Sequence, residues 1–168
     1  MNWDAIGAIG EILGAIAVLA TLFYLAIQIR QNSVATKSAS AEFMLSAAQN
    51  TALAVATSNE AITSWTKGRQ DYNSLDDTEK NRARLLYMSQ MMASDNLYWS
   101  YRQGSLDEEL WERQSNWMRG YLETEPGKAV WAQQTSHGGF TRGFVEYCEA
   151  NFSEQLRDIE PVSDWKSV

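Results

Sequence analysis

The stretch from Ala5 to Ile29, AIGAIGEILGAIAVLATLFYLAIQI, carries one acidic or basic residue, Glu11. An apolar run this long is a candidate membrane span, since ~20 helical residues cross the hydrocarbon layer. Few other placements suit it. A cleaved secretory signal needs a basic start and a short apolar core ending at small residues. Met1-Asn2-Trp3-Asp4 holds an acid and no base, and the run ends in Phe23-Tyr24-Leu25. Arg30 and Lys37 follow the run and no base precedes it. The bias of positive charge predicts an N-terminus outside and a C-terminal side in the cytoplasm. Trp3 and Tyr24 sit near its two ends, where amphipathic rings anchor at headgroup level.

Within the run, Gly7, Gly10, Gly14, Ala17, Thr21, Tyr24 and Gln28 recur at alternating three and four spacing. They form one heptad seam of small or polar residues. Lipid tails are as apolar as leucine, so helices in membranes associate by close backbone approach and hydrogen bonding. The seam predicts a helix that packs against its own copies, most closely at Gly10-x-x-x-Gly14. Glu11 lies ~9 Å along the helix from Ala5, on the flank of that seam. A charge facing lipid there costs ~2–3 kcal/mol or more, so Glu11 is expected to face another helix or a cavity. One reading is a carboxyl hydrogen-bonded to a neighbouring helix and fixing its register. The other is a ring of acids lining a cation path in a homo-oligomer.

Behind the span the chain has the length of one ordinary domain. The net charge is -7 and no basic patch relieves it, which argues against nucleic acid. The chain has one cysteine, Cys148, so no intramolecular disulfide forms, as suits a reducing compartment. Its two prolines, Pro126 and Pro161, leave most of the chain free to be helical. The expected fold is all-α: an N-terminal transmembrane helix continuing into a cytoplasmic helical bundle. The expected divisions are a span at 1–30, a helical stalk at 31–57, a helical domain at 58–153 and a tail at 154–168.

No Gly or Pro interrupts the sequence between Ala15 and Lys67, so the first helix is expected to run to about Thr57, roughly 80 Å at helical rise. Val34, Ser38, Ala41, Leu45, Ala48, Ala52 and Val55 supply its second packing row. A short helix after Ser58 is expected to stop at Gly68, with a loop from Arg69 to Ser74. A long helix from Asp76 to Gln103 opens with a capping box, Asp76 with Glu79, and stops at Gly104. Leu85, Met88, Met92, Asp95 and Trp99 form its expected core stripe, with Met91 and Tyr98 beside it. Asp95 in that stripe is a candidate buried acid, either functional or hydrogen-bonded to a Tyr, Trp or Arg. Ser105 with Glu108 suggests a second capping box, on a helix to Leu122. Thr124-Glu125-Pro126 starts the next, which ends at Gly138-Gly139. Phe140, Thr141 and Val145 suggest a hydrophobic staple around an N-cap, ahead of an apolar face of Phe144, Tyr147, Cys148 and Phe152. Ile159 and Trp165 are the residues that could tie down the polar tail.

Three segments resemble a widespread group of uncharacterised bacterial membrane proteins. They are YLAIQIRQN from Tyr24 to Asn32, YRQGSLDEELW from Tyr101 to Trp111, and Pro126-Gly127 through Trp131 with Phe140 and Phe144-Val145. The likeness covers most of the chain in order. It implies a bacterial inner-membrane protein with one N-terminal span and a helical domain, and it brings no activity and no catalytic residue.

Chemistry-bearing patterns are sparse. His137 is the single histidine, so a multi-histidine metal site is excluded. A His137–Cys148 thiol–imidazole pair is conceivable chemistry, but a cysteine on an apolar helix face more often serves as a small hydrophobe. No phosphate-cradling loop or nucleophile elbow is present. The expectation is therefore no enzyme and no cofactor. The chain reads as a membrane-anchored homo-oligomer, a scaffold or accessory subunit to other membrane proteins. A homo-oligomeric cation channel with Glu11 at its constriction is the alternative.

Overall fold

The computed structural model describes residues 3–159. Seven α-helices account for nearly all of them, and no strand occurs among the described residues. They are α1 (Trp3–Ala56), α2 (Asn59–Gln70), α3 (Asp77–Arg102), α4 (Glu108–Leu122), α5 (Glu125–Ser136), α6 (Arg142–Asn151) and α7 (Ser153–Leu156). The chain divides into two compact units, Met1–Ala39 and Ser40–Val168. α1 is unbroken over 54 residues and belongs to both.

In the first unit the side chains of α1 from Gly7 onward stand exposed, and Lys37 is the first to be partly covered. Ile12, Leu13, Ile16, Leu19, Leu22 and Phe23 are each more than half exposed. Among the described residues this is the one helix long and apolar enough to cross a membrane, and none of its apolar window is buried. Two of its polar side chains are satisfied locally. The Thr21 hydroxyl donates to Ala17 O at 2.8 Å, and Gln28 Nε2 donates to Tyr24 Oη at 2.7 Å.

The second unit is built around α3, which packs on α2, α4, α5 and α6. Its start follows the sequence closely. Asp76 accepts the Glu79 N–H at 2.8 Å, and Glu79 accepts the Asp76 N–H at 3.1 Å. Its end is a Schellman turn: Gly104 has φ +72, Gly104 N–H reaches Tyr101 O at 2.9 Å, and Ser105 N–H reaches Ser100 O at 2.9 Å. α5 ends the same way at Gly138, φ +67, with Gly139 N–H donating to Gln134 O at 2.8 Å.

Four local expectations need correction. Ser105 starts no helix, because its hydroxyl and N–H both close α3 on Ser100 O. Asp107 is the N-cap of α4, and its side chain makes no capping bond. Gly68 lies inside α2, which runs on to Gln70; a Cβ there would be 3.4 Å from Ala83 Cβ and 3.7 Å from Leu75, so the glycine serves close helix packing. The segment expected to be a loop holds the end of α2 and a 3-10 turn, Tyr72–Ser74. Lastly, the α3 core stripe is only partly the expected one: Asp95 is buried and Met88 packs against the core, but the stripe is rotated toward the side of Met91 and Tyr98. Tyr87, Met91, Ser94, Leu97 and Tyr98 are buried, while Leu85 (60% exposed), Met92 (44%) and Trp99 (59%) face out. Ser94 and Ala83 are small enough to let neighbouring helices close on that side.

The core joins Tyr87, Met91, Met118 and Leu122 to Trp131, Phe144, Cys148 and Phe152. The α6 face is as expected, with Phe144, Cys148 and Phe152 buried and Tyr147 half-buried. Phe140 and Val145 both pack against this core. Ile159 also packs there, whereas Trp165 lies outside the described residues.

Candidate functional site

The row of α1 that touches the bundle is Ser40, Met44, Ala47, Thr51 and Val55, each half-buried. The link is polar. Gln90 on α3 donates its side-chain amide to Thr51 Oγ1 and, at 3.4 Å, to Ala47 O. Ser94 Oγ donates to Gln90 O at 2.9 Å, and Gln114 on α4 donates to Ser94 Oγ at 2.8 Å. This chain of amides and hydroxyls spaces α1 from α3 and α4. Of the expected row, Ala41 and Val55 are half-buried, whereas Val34, Ser38, Leu45, Ala48 and Ala52 are exposed; Ala41, Leu45, Ala48, Ala52 and Val55 line an open cleft.

The cleft holds about 590 Å3 between α1, α2, α3 and α4. Its walls are Leu45, Ala48 and Ala52 on one side and Ile62, Trp65 and Trp117 on the other. An aromatic cluster stiffens its base. Trp65 lies 4.9 Å from the Tyr87 ring and 6.4 Å from Tyr121, and Tyr87 meets Tyr121 edge-on at 5.5 Å. Burial pushes both phenols above their ordinary range, and the positive charge of Arg69 opposes this in both. A second hollow of about 300 Å3 shares Arg113, Trp117 and Tyr121 with the cleft and adds Arg69, Asn116 and Gly120. Helical spacing alone could not reveal this site, because it assembles residues from four helices.

The residues singled out in the sequence are dispersed. Gly7, Gly10, Gly14, Ala17 and Thr21 are exposed on α1, and Cβ atoms at the three glycines would meet nothing within 4 Å. Glu11 is exposed on the same helix. Asp95 is buried, and its two oxygens accept from Thr141 N–H at 2.9 Å and Thr141 Oγ1 at 2.5 Å. It ties α3 to the start of α6: the acid is hydrogen-bonded, but to Thr141 rather than to the expected Tyr, Trp or Arg. His137 is exposed at the end of α5, where Nδ1 lies 2.8 Å from Gln133 O and 2.9 Å from Ser136 Oγ. Cys148 is fully buried, and burial pushes its thiol well above the ordinary range. No hydrogen bond joins it to His137 among the described residues. No cluster of three His, Cys, Asp or Glu suited to a metal occurs among them either.

The class defined by this architecture is an all-helical domain behind a long, exposed, apolar N-terminal helix. No protein family, curated protein or solved structure matches the chain.

Proposed function

We propose that the protein is a single-pass protein of the bacterial inner membrane. Its N-terminus lies outside and its helical domain lies in the cytoplasm. It self-assembles through Gly7, Gly10, Gly14, Ala17 and Thr21 and acts as a scaffold or accessory subunit for other membrane proteins. The observation that carries this reading is the exposure of the apolar first unit. Among the described residues none of its apolar window is buried, and Cβ atoms at its glycines would meet nothing within 4 Å. In water such a surface would be a severe liability, whereas in lipid it is the expected state. Arg30 and Lys37 after the run support the orientation. The Glu11 carboxylate has no partner among the described residues, and a copy of the same helix would supply one. The exposed Leu85, Met92 and Trp99 give the second unit an apolar face of its own for a partner.

The membrane half of this reading is tested by washing vesicles at high pH. The full-length protein is expected to stay with the lipid, while peripheral proteins are released. Release of intact protein would contradict it. A conducting ring of Glu11 carboxylates is the second reading, favoured by the same unpartnered acid. It requires cation currents from reconstituted protein whose selectivity changes in Glu11→Gln.

A further inference from the structure

We propose that the cleft between α1, α2, α3 and α4 binds a single-chain anionic amphiphile, its acyl chain along Ala48, Ala52 and Trp117 and its head group at Arg69 and Arg113. Three observations carry this. The cleft and its adjoining hollow, about 590 Å3 and about 300 Å3, have the dimensions of small-molecule sites. The larger cavity has aliphatic and indole walls, with polar groups confined to a few positions, which suits a hydrocarbon chain with one polar end. The charge is also selective. The protein is acidic overall, yet the residues lining these two hollows include two arginines and no aspartate or glutamate. Two other surface hollows mix acids with bases: Glu60, Asp76 and Glu79 with Arg82 in one, and Glu149 with Arg157 in the second.

Neither Arg69 nor Arg113 forms an ion pair with any of the described residues. A guanidinium is a planar fork of donors suited to carboxylate and phosphate alike. Two such groups in a hollow that adjoins an apolar cleft match the polarity of a fatty acid or a lysophospholipid. An acidic protein segment would meet the same charge, but a stable protein interface buries ~800 Å2 a side, more than a hollow of this size offers. The site lies wholly within the second unit, so it does not depend on self-assembly of the first.

Tryptophan quenching tests this in the full-length protein held in neutral phosphatidylcholine nanodiscs. The probes are a dibrominated stearic acid, the matching lysophosphatidylglycerol and the matching fatty alcohol. Saturable quenching is expected with one or both anionic probes, and which of them quenches identifies the head group. The alcohol is expected to bind about tenfold more weakly, and Arg69→Gln with Arg113→Gln is expected to reduce the anionic probes to the level of the alcohol. Ala48→Phe, which fills the channel from an exposed position, is expected to abolish saturation for all three probes. Equal binding of acid and alcohol, or quenching untouched by Ala48→Phe, would overturn the assignment. So would the absence of saturable quenching from a wild-type protein with an intact helical spectrum.

Discussion

Gly127→Ala is expected to unfold the corner between α4 and α5 and to cost about 3 kcal/mol or more of stability. The helices are joined by only Glu123 and Thr124. Thr124 is the N-cap of α5; its hydroxyl accepts Gly127 N–H at 3.2 Å and donates to Tyr121 O at 2.7 Å. This folds Gly127 directly onto the last turn of α4. A Cβ there would lie 1.9 Å from Tyr121 O and 2.7 Å from Tyr121 C. Both obstacles are backbone, so relief requires moving a helix end rather than a side chain. Tyr121 also belongs to the aromatic base of the cleft. The variant should therefore lose the near-ultraviolet signal of that cluster as well as melt early. Gly120→Ala, at a half-buried position of α4 that borders the smaller hollow with nothing within 4 Å of its Cβ, is the control expected to melt like the parent or slightly higher. Equal melting temperatures for Gly127→Ala and the parent would show that the corner does not need its glycine.

Removing the Asp95 carboxylate is the second large effect. Asp95→Ala is expected to destabilise the second unit by about 2–3 kcal/mol, the usual range for hydrogen bonds to a charged group. Thr141 is the N-cap of α6, yet its side chain makes no bond within its own helix. The hydroxyl and the N–H both turn to Asp95 instead. The carboxylate thus caps α6 from another helix and places a negative charge at the positive end of the α6 dipole. Asp95→Asn keeps the shape and one acceptor, so about half of the loss is expected. Thermal melts of the full-length protein in one mild detergent would rank the three proteins in that order. A parent-like Asp95→Ala would remove this link from the account of the fold.

Both sites bear on what the sequence could disclose. The Asp76–Glu79 box, the Gly104 and Gly138 stops and the Phe144–Cys148–Phe152 face are local signals, and each stands where periodicity and capping chemistry put it. Ser105 carries an equally good local signal, but the neighbouring helix end claims it first. Gly68 looks like a stop and is a packing contact, because only its neighbours in space distinguish the two. Four helices pack on α3, so its inner side extends beyond Asp95 to Ser94 and Gln90, although Leu85, Met92 and Trp99 look more apolar. Asp95 was recognisable as an anomaly, but its partner lies 46 residues away. The cleft left no trace in any single helix. Its arginines, Arg69 and Arg113, look like ordinary surface residues until α2 and α4 are brought together.

The central claim, that copies of α1 meet along the glycine-bearing side, is tested most directly by cysteine crosslinking in native membranes. Cys148→Ser removes the sole thiol, and single cysteines are then placed along α1. Oxidation is expected to give dimers from cysteines at Gly7, Gly10, Gly14, Ala17 and Thr21. None is expected from cysteines at Ile12, Ile16, Leu19 and Phe23, on the opposite side of a helix turning ~100° per residue. Crosslinks of equal strength at both sets, or at neither, would contradict it.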